Sequence, residues 1–159
     1  MSRLDSFIRR LTAQRDLIDH IAAEVQSLDG PVMELGLGNG RTFDHLRERL
    51  PGRRIVAFDR ALGAHASSMP GLDDLVLGEI RETAARFAGI GAALVHADIG
   101  TGYADKDAVT LTWLPTLSAD LAAPGGLVAS GLPLEHPALL SLPLPPSVPL
   151  DRYFLYRRA

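Results

Sequence analysis

"VMELGLGNGRT", residues 32–42, runs from a short apolar segment through a glutamate into three glycines set one residue apart, Gly36, Gly38 and Gly40. Glycine permits positive φ and removes the Cβ that would hold a ligand away from the backbone. The N–H groups left free at the start of a following helix face the same point. In an open α/β sheet, ligands lie outside the carboxyl ends of the strands, and the first strand-to-helix turn is where the backbone reaches them. The stretch therefore predicts a first strand, a cradle and a helix, in that order.

The same alternation continues on both sides. Apolar residues from Leu4 to Leu28 recur at helical spacing, which predicts one amphipathic helix or two joined near Gln14, closed by Gly30-Pro31. After the glycine turn a helix is expected from Arg41 to Leu50, stopping at Pro51-Gly52, and "RIVAFD" is a second apolar strand. "DDLVLGEI" reads as a third strand, "RETAARFA" as a helix, "AALVHADIG" as a fourth strand and "LVAS" as a fifth, entered by an "APGG" turn. Residues 104–122 read as helical with a kink or split at Pro115. Strands that are nearly all apolar, rather than alternating, and separated by helices call for a parallel sheet covered on both faces. The fold class expected is α/β, a Rossmann-like doubly wound, mostly parallel sheet with an N-terminal amphipathic helical segment and a shortened C-terminal part. It forms a single domain over 1–159, with 1–30 as the helical segment and 31–159 as the α/β core. Six prolines between Gly131 and Leu150 leave room for a turn or two of helix around "EHPALLSL", and "DRYFLYRR" closes the chain as a hairpin or edge strand.

Composition removes several classes of function. The 159 residues include no cysteine, so disulfides, thiol catalysis and thiolate metal sites are excluded. The five histidines show no ligand spacing, and no metal is expected. Sixteen basic and 19 acidic residues give a net charge of −3 without a basic stripe, which argues against a nucleic-acid partner. The Arg-Arg pairs at 9–10, 53–54 and 157–158 read as solvated surface. No apolar run reaches the about 18–20 residues that a membrane span needs, and a cytoplasmic location is expected.

The loop spacing narrows the ligand. Gly-x-Gly-x-Gly departs from the dinucleotide fingerprint, which requires glycine where Arg41 stands, and no P-loop lysine follows. Glu34 would repel a pyrophosphate and attract an ammonium or sulfonium, provided the acid confronts the ligand. Asp59, 19 residues beyond Gly40, stands where an acid accepts hydrogen bonds from ribose hydroxyls. A ribose and a cationic amino-acid end together describe S-adenosyl-L-methionine.

At these residues the chain resembles the class I S-adenosylmethionine-dependent methyltransferases. The resemblance rests on "VMELGLGNGRT", "IVAFDR", "LVLGEIRET", "LVHADIG" and "LAAPGGLVASG", and spans residues 31–131. It implies that Glu34 binds the methionine end, and that Leu35, Gly36, Leu37, Gly38, Asn39, Gly40 and Thr42 line the cofactor. It implies Asp59 and Arg60 at the ribose, Gly78, Glu79 and Ile80 near the adenine, and Asp98 at the methyl donor. The family's sheet has seven strands with an antiparallel last one, so the short tail implies a reduced sixth strand and preceding helix.

Each residue also has a plainer reading. Glu34 could pair with an arginine, Asp59 could cap a helix, and Glu79 could cap the helix beginning "RET". Asp98, with His96 behind it, is the expected group for orienting or deprotonating an acceptor, although a satisfied core histidine is the ordinary state of such a residue. Trp113, Tyr153, Phe154 and Tyr156 read as core or interface packing. Phe7 and its stripe pack on the sheet, close over the cofactor or form a dimer face. The expected partners are a small-molecule methyl acceptor and a second copy of the chain, held through the N-terminal helix or C-terminal strand. An NAD-linked oxidoreductase and a non-catalytic cofactor-binding module remain as alternatives.

Overall fold

The computed structural model describes residues 1–159. A seven-stranded sheet organises the chain in the order β3-β2-β1-β4-β5-β7-β6. The strands are β1 (Val32–Leu35), β2 (Ile55–Asp59), β3 (Leu75–Leu77), β4 (Ala92–Ala97), β5 (Ala122–Ser130), β6 (Leu139–Ser141) and β7 (Phe154–Arg158). The first five pair in parallel, and β7 runs antiparallel to both β5 and β6.

Two apolar layers cover the sheet, as its apolar strands demand. On one face, Val32, Ile55, Ala57 and Leu94 pack with Leu17, Ile21 and Val25 of α1 (Arg3–Ser27) and Leu46 of α2 (Arg41–Arg49). On the other, Met33, Leu35, Val56, Phe58 and Val95 pack with Ile80 of α3 (Ile80–Thr83) and with Leu114, Leu117 and Leu121 of α5 (Leu114–Leu121). The intervening α4 (Ala104–Leu111) buries none of its residues.

α1 is one continuous helix, begun by a Ser2–Asp5 capping box. Its burial is uneven, with buried residues starting at Ala13 while Leu4 and Ile8 stay 66% and 52% exposed. The amino-terminal stripe therefore does not pack on the sheet. Arg53, expected at the surface, instead donates to the carbonyls of Val25, Gln26, Leu28 and Gly30 and ties down the carboxyl end of α1.

Other expectations shift locally. "APGG" lies within β5 as an irregular start, because Gly125 takes φ +80° and the β4 register slips between Ala92 and Leu94. The split in the helical stretch falls at Thr112-Trp113, and Pro115 occupies the first turn of α5, where its missing N–H costs nothing. No helix forms around "EHPALLSL"; "LLS" is the short strand β6. β7 lies inside the sheet and β6 forms the edge, because β7 can pair through both sides while proline-flanked β6 is only three residues long.

Candidate functional site

The glycine turn joins β1 to α2 at the carboxyl edge of the sheet. Gly36, Gly38 and Gly40 all take positive φ, but for different reasons. A Cβ on Gly36 would stand 2.5 Å from the Ile99 side chain and 2.8 Å from the Asp98 carbonyl, and one on Gly40 would stand 2.5 Å from the Ser68 carbonyl. A Cβ on Gly38 would meet nothing within 4 Å. Two of the three glycines thus admit neighbouring protein, and only Gly38 opens onto free space, where all three had been expected to admit ligand.

Two cavities flank that opening. The larger, about 630 Å³, is walled by Gly36, Gly38, Asp59, Arg60, Glu79, Ile80 and Asp98, and by Lys106 and Trp113 from the far side. The smaller, about 250 Å³, lies under α1 and is walled by Phe7, Arg10 and Gln14 together with Gly36, Leu37, Gly38, Asn39, Arg41, Thr42 and Asp98. The structure therefore brings together Gly36, Leu37, Gly38, Asn39, Thr42, Asp59, Arg60, Glu79, Ile80 and Asp98 around two cavities that share Gly36, Gly38 and Asp98. Leu35, Gly40 and Gly78 do not face them; Leu35 is in the core, and Gly40 and Gly78 shape the turns behind them.

Asp59 caps no helix. Its carboxylate accepts the N–H of Gly38 and of Arg60, each at 2.7 Å, which fixes the loop and leaves lone pairs turned outward. Glu79 precedes α3 without a side-chain capping bond and pairs with Arg60 at 3.1 Å instead. The N–H groups of Arg41, Thr42 and Phe43 precede the first bond of α2, from Asp44 N–H to the Gly40 carbonyl at 2.9 Å. They leave a donor-rich rim beside the smaller cavity.

Glu34 departs from its expected position. The side chain is wholly buried and walls neither cavity. Its Oε1 accepts from His96 Nδ1 at 2.6 Å, so its protein partner is a histidine and not an arginine. Its Oε2 is buried without a hydrogen-bond partner. Burial raises the Glu34 carboxyl above the ordinary range, against the pull of His96. His96 is enclosed too: Tyr153 Oη bonds its Nε2 at 2.7 Å, and Gln14 Nε2 donates to the same hydroxyl at 3.4 Å. His96 therefore cannot act from behind Asp98 as a base on an acceptor.

Asp98 stands at the end of β4 with both oxygens 2.9 Å from Arg10 Nη2. Arg10 reaches it from α1, 88 residues away in the chain, and no local spacing could have announced that pairing. Arg41, whose guanidinium lies 5.5 Å from the centre of the Phe7 ring, is the second cation on the smaller cavity. Tyr153, expected as packing, is buried but also hydrogen-bonded.

Glycine cradle, outward-facing acid and orphaned buried carboxylate oxygen fit a nucleoside with a zwitterionic end. A family model described as S-adenosyl-L-methionine methyltransferase matches residues 1–158. A crystal structure from Silicibacter pomeroyi DSS-3, described as an S-adenosyl-L-methionine methyl transferase, is 43% identical, with a TM-score of 0.92 over 100% of this chain and 99% of that one. The 16S rRNA (adenine(1408)-N(1))-methyltransferase of Catenulisporales acidiphilia is 16% identical, with a TM-score of 0.54 over 88% and 89% of the two chains. An SAH-bound methyltransferase of Podospora anserina is also 16% identical, with a TM-score of 0.54 over 100% and 80%. These two share the fold. No curated protein matches the chain. The sheet is of the class I methyltransferase type, and the chain belongs to the S-adenosyl-L-methionine methyltransferase family.

Proposed function

We propose that this methyltransferase acts on a small-molecule acceptor by direct in-line transfer, with the acceptor approaching Asp98 between the two cavities. The observation that carries the reading is the pair of cavities sharing Gly36, Gly38 and Asp98, one suited to a nucleoside and the other to an amino-acid end. The bound cofactor supplies an electrophilic methyl group on a sulfonium.

The chain's residues bind and orient. Asp59 accepts from ribose hydroxyls with the lone pairs that Gly38 and Arg60 leave free. Ile80 and Ile99 offer apolar contact to the base, and Gly78 and Glu79 shape that end of the cleft. Beside the smaller cavity, Arg10, Arg41 and the free N–H groups at the start of α2 suit a carboxylate, while the buried, unpartnered Glu34 oxygen suits an ammonium that reaches it. Asn39 and Thr42 complete that wall, and α1 shields it from water.

Alignment and water exclusion are the main demands of such a displacement, and a base is needed only where the acceptor must lose a proton. Asp98 orients the acceptor; acting as a base would require it to leave Arg10. A volume of about 630 Å³, shared with the cofactor, favours a small acceptor over a polymer, as does the net charge of −3. The test is a tritiated-methyl transfer assay over amine, hydroxyl and carboxylate acceptors, with ribosomal RNA as a further arm. Label in RNA alone would overturn the small-molecule assignment.

A further inference from the structure

We propose that His96 and Tyr153 are positioning residues that hold the Glu34 carboxylate with its free oxygen toward the cofactor's ammonium, from beneath the site and without touching the ligand. This rests on the cofactor placement above and asks how the acid is kept ready.

The sheet itself makes the pair. Glu34 and His96 are register partners across parallel β1 and β4, so their side chains leave the same face side by side. That face is the α1 side, shared with Val32 and Leu94. A carboxylate only accepts hydrogen bonds, which places a hydrogen on His96 Nδ1 and leaves Nε2 for the Tyr153 hydroxyl. With Tyr153 at 1% exposure, neither ring nitrogen reaches water. The imidazole is therefore fixed at both ends, and the carboxylate with it.

Only Glu34 Oε2 is left over. Buried polar atoms in folded proteins find partners, and an orphan marks a place where something else completes the set. Thr42, whose side chain bears on the charge of this carboxylate, also lines the smaller cavity, so the acid sits close behind that cavity's wall. The chain of contacts returns to that cavity at its other end through Gln14 on α1.

The charge of Glu34 is what an ammonium would read. Burial favours its protonated form, while the His96 charge and hydrogen bond oppose that, and Asp98 on the same side adds to it. The other groups facing the pair are Tyr153, from the segment before β7, Gln14 and Arg10 on α1, and Thr42 on α2. Removing the histidine donor lets the carboxylate take up a proton at higher pH and lose its hold on a cation. A purely structural network would instead weaken all ligands together.

Calorimetric titration separates the two roles. S-adenosylhomocysteine carries the amino-acid end, and 5′-methylthioadenosine shares the nucleoside but lacks that end. His96→Leu is expected to weaken S-adenosylhomocysteine by about ten- to a hundredfold, with its acid limb moved to higher pH, and to leave methylthioadenosine within twofold. His96→Asn keeps a donor near the Nδ1 position and is expected to restore most of the affinity. Tyr153→Phe removes one hydroxyl at constant shape and gives a smaller loss confined to S-adenosylhomocysteine. Equal losses for both ligands, or an unmoved S-adenosylhomocysteine affinity in all three variants, overturn the positioning role. Failure of the wild-type chain to bind either ligand would instead overturn the cofactor placement.

Discussion

Gly36→Ala and Gly38→Ala, two residues apart in one loop, should fail in opposite ways. At Gly36 a methyl group would enter at 2.5 Å from Ile99 Cγ2 and 2.8 Å from a backbone oxygen that cannot move aside, at φ +92°. Overpacking of about 1–3 kcal/mol and a left-handed non-glycine residue at about 1–2 kcal/mol give a loss of about 4 kcal/mol. For a chain of this length each kcal/mol lowers Tm by about 2–4 °C, so the fall is about 8–16 °C. At Gly38 the methyl meets nothing and φ is +55°, within the left-handed helical region, so only about 1 kcal/mol and about 2–4 °C are lost. Yet that methyl projects into open space at a residue that lines both cavities, and S-adenosylhomocysteine affinity should drop at least about tenfold, the cost of about 1.4 kcal/mol of steric conflict. Thermal melts of the unliganded chains followed by calorimetric titration measure both quantities. A Gly38→Ala protein that melts as low as Gly36→Ala, or that binds the nucleoside undiminished, would refute the division of labour assigned to the loop.

Asp59→Asn should weaken S-adenosylhomocysteine and methylthioadenosine alike, by about tenfold, because both carry the ribose. Glu34→Gln should weaken only the former when titrated at pH 8. Arg53→Ala should cost about 2–3 kcal/mol in urea denaturation, because four carbonyls at the end of α1 lose a shared charged donor. Lysine should restore only part of this, since its point charge cannot fork among them. pH gives a signed expectation for the unliganded fold. The buried environment alone would lower His96, but the Glu34 charge raises it above its ordinary 6.5. Its contribution is therefore full below that value and is lost as pH rises through the raised one, in the same direction as the raised Glu34. Tm should decline from pH 6.5 toward 9 by more in the wild type than in His96→Asn, and equal slopes would contradict the assignment.

The part of the fold written in continuous local pattern was legible. β1, β2 and β4 are apolar at all but one position each, which announces a parallel sheet, and the glycine turn places the first crossover. The tail was harder, because "LLS" has no pattern of its own and becomes a strand only by lying beside β7. "APGG" reads as a turn from its composition; it lies inside β5 as an unpaired irregularity between Ala122 and Leu127, the flanking residues that do pair with β4. At the candidate site, the loop and the acids Asp59, Glu79 and Asp98 were legible as a group that the structure gathers at two cavities, but the contacts they make were not. Gly36 and Gly40 are small for the sake of Ile99, Asp98 and Ser68, which no local window contains. Arg10 and Tyr153 meet their partners across 88 and 57 residues. One signal was available for Glu34 and His96: each is a lone polar residue, third in "VMEL" and fifth in "AALVHA", in otherwise apolar strands. Two such interruptions in neighbouring strands of one sheet suggest that they answer each other.

α1 is anchored like a plank nailed at one end. Arg53 and the apolar contacts from Ala13 onward secure its rear, whereas the front three turns rest on Phe7, a long Arg152–Ser6 contact at 3.4 Å and one ion pair between Arg10, at 45% side-chain exposure, and Asp98. Such an exposed pair restrains motion by at most about 1 kcal/mol, about fivefold in population. Releasing the front end therefore leaves the sheet in place and frees Asp98 on the wall that the two cavities share. Traffic through the smaller cavity can proceed by bending or unwinding the front turns while the packed rear stays put, and its rate should respond to ionic strength while the melting temperature does not.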